Sequence, residues 1–238
     1  MSQWHPFDLF FAALLAGGMP LWARREFAHL RVRVSAGAST ARLRAYARTI
    51  WIQWSLVGVL ALHWSLRERD GSSLGLALDP SWRFALAAVL CLAGVVLLVV
   101  QLRTVMTDDE AREQAEAELA PLVFLLPHDA RELRGFYAIS FTAGTCEEIL
   151  YRGFLPWVLG LAMPLPMAYG SAAILFGLGH VYQGPAGVVK TSILGVVMGG
   201  LVWLSGSLLP AIVLHIAIDA INGRLAFHVI QHQREDEA

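Results

Sequence analysis

The chain has 238 residues, of which 56% are hydrophobic and only 16% charged, and its mean hydropathy is +0.55. Soluble domains carry about 25% charged residues, so this composition excludes an ordinary soluble domain, and the large apolar content excludes disorder. The net charge of -1 argues against a nucleic-acid partner, because nucleic-acid binders usually carry a basic excess. Two cysteines in apolar runs exclude a disulfide framework. A polytopic membrane protein remains.

Seven stretches are long and apolar enough to cross a bilayer, since a helical span needs about 20 mostly apolar residues. The predicted spans are residues 7–23, 47–65, 84–102, 135–160, 165–183, 188–205 and 207–230. The first contains Asp8 and a Gly17-Gly18-Met19-Pro20 break, so we expect this span to be kinked or partly interfacial. The sequence therefore predicts an all-α transmembrane helix bundle of seven spans, or eight if a half-span is present.

The arginines of the first loop predict the orientation of the bundle. Residues 24–48 carry seven arginines and a single acid, Glu26, which places this loop in the cytoplasm by the positive-inside rule. With seven spans, the N-terminus then lies outside and the C-terminus in the cytoplasm. The chain has seventeen arginines and one lysine, Lys190, which hints at a GC-rich bacterial genome. We therefore expect a bacterial inner-membrane protein.

The loop at residues 103–134 has helical features of its own. Thr107-Asp108-Asp109-Glu110 predicts a capping box that opens a helix. A solvated charged helix or a substrate lid both fit this segment, and we expect residues 122–127 to lie on the membrane surface. In the sixth span, Gly195 and Gly199 form a GxxxG surface, which favours either close packing within the bundle or dimerisation.

Charged residues within spans are expensive unless they are paired or hydrated, so they are the first functional candidates. Glu147, Glu148 and Arg152 lie within six residues of the fourth span. Glu148 and Arg152 are spaced i, i+4 and can pair on one helix face. Glu147 lies about 100° round the helix from Glu148, which makes it the freer carboxylate. A purely structural network is the alternative, but it does not require the second glutamate.

Two further spans supply imidazoles and a carboxylate. His180 ends the fifth span, and His215 and Asp219 share one face of the seventh. The sequence separations allow all of these groups to converge on the bundle interior. A carboxylate and a histidine can activate a water, and a second histidine with Asp219 can stabilise an oxyanion. This set suits amide hydrolysis. No cofactor is required, although zinc bound by histidine and glutamate stays open.

These motifs resemble those of the CPBP family of intramembrane proteases, which includes CAAX prenyl endopeptidases and bacteriocin-processing (Abi) proteins. The family carries Glu-Glu-x-x-x-Arg, Phe-x-x-x-His and His-x-x-x-Asn/Asp in this order. Here they stand as Glu147-Glu148-Ile149-Leu150-Tyr151-Arg152, Phe176-Gly177-Leu178-Gly179-His180 and His215-Ile216-Ala217-Ile218-Asp219. The likeness covers residues 120–228, and we interpret residues 120–230 as a catalytic core that follows N-terminal spans and loops in residues 1–119.

The resemblance implies a glutamic-type peptidase, long described as a metalloprotease. Glu147 then looks like the base that activates water, with His180 sharing that water, and Glu148 and Arg152 look like a supporting pair. His215 and Asp219 look like the oxyanion side. Prenyl endopeptidases generally have Asn where Asp219 stands, and an ionised Asp cannot donate to an oxyanion. Asp219 would therefore be protonated or would orient His215.

The implied partners are the lipid bilayer and a membrane-anchored peptide or protein substrate, which the family allows to be lipidated. Two other classes of protein fit the sequence less well. A proton-coupled transporter also buries carboxylates and histidines, but it predicts matching repeats in two halves, and none is visible. A non-catalytic immunity or scaffold protein of the same fold would not require complete motifs.

Overall fold

A computed structural model of the protein describes residues 5–236, and the regular structure within that range is helical throughout. Its eight helices are α1 (Pro6–Ser35), α2 (Ala41–Leu66), α3 (Trp82–Thr107), α4 (Asp109–Leu119), α5 (130–160), α6 (Leu165–Gly179), α7 (Gly184–Ser205) and α8 (Leu209–Asp236). Short 3₁₀ turns precede α3, α5 and α7, at Gly71–Leu74, Ala120–Leu122 and Val181–Gln183. The predicted all-α bundle is thereby confirmed.

Each predicted span lies mainly within one of these helices. Five of them, α1, α2, α3, α8 and α7 with its preceding turn, are long and apolar enough to cross a membrane. α5 is also long, but charged residues interrupt it, and α6 has only 15 residues. The protein is therefore an integral membrane protein, although α6 is shorter than a complete span.

The first helix continues beyond the predicted span, to Ser35 rather than residue 23. The helix continues through Gly17 and Gly18. It contains a π-helical turn there, at Leu14–Gly18, and returns to α-helical hydrogen bonding at Met19. The polar extension is held by apolar packing instead of lipid, since Phe27 and Leu30 are buried against the start of α2. Tertiary contacts thus lengthen this helix past its apolar stretch.

The segment between α3 and α5 contains the predicted helix, but its predicted first cap residue was wrong. The cap of α4 is Asp108, whose carboxylate accepts from the Ala111 amide at 2.7 Å, rather than Thr107. In the stretch 122–127, Phe124 and Leu126 are buried within the protein and Val123 is exposed, and the position of this stretch on the membrane surface stays a prediction. Phe124 packs in the same cluster as Leu30, so this segment closes the loop end of the bundle.

Glycines set the closest helix contacts. A Cβ atom on Gly195 would lie 3.0 Å from Ala173, and one on Gly199 would lie 3.1 Å from Tyr169, both on α6. The GxxxG surface is therefore used for packing within the bundle, and these two glycines are not available for the dimer alternative. α5 and α8 cross at Gly144, where a Cβ would meet the Ile216 backbone nitrogen at 2.8 Å.

Asp8, the charged residue of the first span, is paired inside the protein. Both of its oxygens accept hydrogen bonds from the Arg69 guanidinium, at 2.8 and 2.7 Å. His63 Nε2 lies 3.1 Å from the same carboxylate. This cluster ties the start of α1 to the end of α2, which explains a buried charge without a catalytic role.

Candidate active site

The two adjacent glutamates lie where α5 changes its winding. Glu147 and Glu148 end the α-helical part, Ala130–Glu148, and the π-helical turn Ile149–Phe154 follows. Such turns are frequent at functional sites, because the extra residue per turn redirects side chains. Arg152 lies within this turn, and its Nη1 donates to Glu148 Oε1 at 2.9 Å. The expected i, i+4 pair is present and buried.

α8 brings His215 directly onto this pair. His215 Nδ1 lies 2.7 Å from Glu148 Oε1. Because an ionised carboxylate only accepts, Nδ1 carries the hydrogen and donates it. The other ring nitrogen, Nε2, lies 4.0 Å from Glu147 Oε2 and 3.8 Å from Asp219 Oδ2. Glu148 therefore orients the imidazole so that Nε2 faces both remaining carboxylates.

The two glutamates differ in their surroundings. The Glu148 side chain is fully buried, whereas that of Glu147 is 17% exposed. Glu147 Oε1 accepts a hydrogen bond from Gln53 Nε2 of α2 at 2.6 Å. Asp219 is more open, with 35% of its side chain exposed. Glu147 and Asp219 are thus the carboxylates that a bound molecule can reach.

His180 joins the group through Phe176. His180 Nδ1 lies 2.9 Å from the Phe176 carbonyl oxygen, to which it donates, so Nε2 is the nitrogen that accepts. The Phe176 ring centroid lies 4.7 Å from that of His180 and 6.0 Å from that of His215. The Arg152 guanidinium stacks on the same ring at 3.9 Å. Phe176 is thus a common wall between the two histidines and the buried ion pair.

Five of the six predicted site residues are therefore joined by direct contacts, and His180 joins them through one aromatic ring. Sequence reasoning missed Gln53, because it considered only ionisable groups within spans. The available signal was a lone amide in the apolar stretch 47–65. The sequence could not show that α2 packs against α5, which is what brings the amide to Glu147.

A zinc site requires three donor side chains that face one point. Within residues 5–236, no three side chains of His, Cys, Asp or Glu form a group that could hold a metal ion. Nδ1 of His215 is held by Glu148 and Nδ1 of His180 by a backbone carbonyl, which leaves Nε2 of both rings free, as in metal-bound imidazoles. Zinc binding stays a prediction to be tested with a chelator, and the reaction proposed below uses only side chains of the chain.

The fold and site define an integral membrane protein with carboxylates and imidazoles gathered among its helices. Residues 130–221 match the family described as type II CAAX prenyl endopeptidase Rce1-like. This segment runs from the start of α5 into α8 and contains all six predicted site residues. The resemblance to the CPBP family is confirmed over the segment, and the matching family is one of proteases. No curated protein and no solved structure matches the chain.

Proposed function

We propose that the protein is an intramembrane endopeptidase that hydrolyses a peptide bond of a membrane-associated protein or peptide. The observation that carries the proposal is the contrast between a reachable carboxylate, Glu147, and the buried Glu148–His215 pair beside it. A base must meet the substrate, whereas its supporting groups are held rigidly behind it. The match of this segment to a protease family supports the same reaction.

In the proposed reaction, Glu147 takes a proton from a water molecule, and the water oxygen bonds to the carbonyl carbon of the peptide. His180 accepts a hydrogen bond from the same water through Nε2. The carbonyl oxygen becomes the oxyanion of a tetrahedral intermediate. The proton held by Glu147 then passes to the leaving nitrogen, the carbon–nitrogen bond breaks, and a carboxylic acid and an amine are released.

His215 and Asp219 are assigned to the oxyanion. His215 Nδ1 already donates to Glu148, so a proton on Nε2 makes an imidazolium that the Glu148 carboxylate stabilises. That Nε2 proton points between Glu147 and Asp219, where it can reach an oxyanion. Because Glu148 orients His215, Asp219 is not needed for that task. We therefore assign Asp219, in its protonated form, as the second donor.

The proposed substrate is anchored in the same membrane, because the site lies among helices that cross it. The family description names a CAAX prenyl endopeptidase, so a lipid-modified C-terminal peptide is the first substrate to test, with leader peptides of membrane-bound precursors as the comparison. The proposed location is a bacterial inner membrane, with the N-terminus outside and the C-terminus in the cytoplasm. The loop arginines support this orientation.

The test is a cleavage assay with purified protein in lipid vesicles and a panel of membrane-anchored peptides, with and without a prenyl group. We expect cleavage by the wild type, and a loss of at least about a hundredfold for Glu147→Ala and His180→Ala. Lys190→Ala is the matched control, because Lys190 is exposed and its ion pair within the described residues is with the exposed Glu118. If the folded Glu147→Ala variant cleaves as well as the wild type, the mechanism is wrong. Activity lost to a chelator and restored by zinc would overturn the metal-free reaction.

A further inference from the structure

Among residues 5–236, Gln53 is the one residue of the N-terminal helices that forms a hydrogen bond with a carboxylate of the site. It lies on α2, well before the matched segment 130–221. Its side chain is buried, and Nε2 donates to Glu147 Oε1 at 2.6 Å. The amide group must face Glu147 with its nitrogen, because two oxygens at this distance would repel. Oε2 of Glu147 then remains on the side of His215.

The helix pair around this bond is closely packed. Trp54 Nε1 donates to Thr142 Oγ1 at 3.2 Å, one position along α2 from Gln53. Farther down the same pair, a Cβ on Gly135 would lie 3.2 Å from the Tyr46 ring, and the Tyr46 hydroxyl donates to the Leu125 carbonyl. α2 and α5 are therefore in contact on both sides of Gln53 along the chain.

The two polar atoms of the Gln53 amide differ in their hydrogen bonding. Oε1 is buried and has no hydrogen-bond partner among the described residues. The hydrogen bond of this side chain is the one from Nε2 to Glu147. A hydrogen bond to one oxygen of a carboxylate restricts the rotation of the group and leaves the second oxygen free to take a proton.

We propose that Gln53 is a positioning residue that fixes the Glu147 carboxylate for attack on the peptide bond, so that the N-terminal half of the chain supplies part of the working site. The inference rests on the proposed role of Glu147 as the base. It makes α2 a component of the active site and not only a membrane anchor.

The first test replaces Gln53 by methionine, which keeps the length of the side chain and removes the donor. We expect kcat to fall about 10- to 100-fold, as for the loss of a hydrogen bond to a charged group, while KM stays nearly unchanged. Trp54→Phe is the matched control, because it removes a neighbouring hydrogen bond between the same two helices without touching Glu147. We expect its kcat to stay close to that of the wild type.

The second test is Gln53→Glu, which restores a donor only while the two facing carboxyl groups share a proton. At low pH, we expect Gln53→Glu to recover part of the kcat that Gln53→Met loses. On the alkaline side, we expect its activity to fall at a lower pH than that of the wild type. A merely structural role of Gln53 would not move the pH profile in this direction. A Gln53→Glu profile parallel to that of the wild type would contradict the proposal.

A third measurement separates this inference from the proposed function, because it needs no turnover. The infrared difference between each protein and its Glu147→Gln counterpart isolates the carboxylate bands of Glu147. We expect these bands to shift in Gln53→Met and to stay in place in Trp54→Phe. Unshifted bands, or full activity of Gln53→Met beside an inactive Glu147→Ala, would overturn the role of Gln53 and leave the endopeptidase standing. An active Glu147→Ala would overturn both.

Discussion

Asp219 differs from the other carboxylates of the site in its chemistry as well as its exposure. Its Oδ2 lies 3.8 Å from His215 Nε2, but the opposite nitrogen of that ring is already held by Glu148. An orienting carboxylate at Asp219 would therefore duplicate an existing contact. The position suits a hydrogen-bond donor to the oxyanion, which an aspartate supplies only when it is protonated.

Asp219→Asn tests this assignment, because an amide donates at every pH. We expect the variant to retain activity and to extend it to higher pH than the wild type. Asp219→Leu, which has no donor, is expected to lose about 10²–10³-fold in kcat. Both are measured as pH profiles of kcat on the same peptide. If Asp219→Asn is as inactive as Asp219→Leu, the negative charge itself is required and the oxyanion assignment is wrong.

At the scale of helices, the site depends on how closely α5 and α8 approach. Gly144 lies one turn before Glu148, and its neighbour across the interface, Ile216, directly follows His215. The absence of a side chain at Gly144 lets the two backbones meet. The 2.7 Å hydrogen bond between Glu148 and His215 is formed just beside this crossing.

Gly144→Ala is expected to damage the site without changing any site residue. The new Cβ would lie 2.8 Å from the Ile216 nitrogen, so the helices must move apart. We expect a loss of about 1–3 kcal/mol in stability and of about tenfold or more in kcat, because small displacements of catalytic groups are costly. Thermal unfolding and turnover measure the two effects.

Gly200→Ala on α7 is the control, since a Cβ there has no atom within 4 Å. Its expected effect is a gain of up to about 1 kcal/mol, from the higher helix propensity of alanine. If Gly144→Ala is as stable and as active as this control, α5 and α8 can move apart without damage to the site. The close approach of the two helices would then not be required.

At the scale of the whole molecule, the apolar runs predict most of the helices. The features that the sequence could not predict are those that depend on packing between helices. The apolar stretch 84–102 predicts α3 well, because few residues of this helix are buried against the rest of the protein. The extension of α1 to Ser35 depends on the burial of Leu30 by partners distant in sequence. The motif spacing predicted the Glu148–Arg152 pair, whereas the Gln53–Glu147 bond requires knowing that α2 lies beside α5.

The proposed orientation can be tested by labelling single cysteines. Ser35 is exposed at the end of α1 and Ser72 in the connection between α2 and α3, and the two native cysteines are buried. In intact spheroplasts, we expect a membrane-impermeant maleimide to label Ser72→Cys and to reach Ser35→Cys only after lysis. The reverse pattern would place the arginine-rich loop outside and contradict the positive-inside prediction.

α6 is shorter than the hydrocarbon layer of a typical membrane. Its 15 residues measure about 22 Å at 1.5 Å per residue, against a hydrocarbon thickness of about 30 Å. Met167 and Ile174 are exposed on its outer face, so lipid must meet a helix that is too short for it. A span that is too short for the hydrocarbon favours local thinning of the bilayer, so we expect the aqueous boundary to lie closer to His180. Turnover is then expected to decline as the acyl chains of the surrounding lipids lengthen, and cleavage in vesicles of increasing acyl-chain length measures this effect.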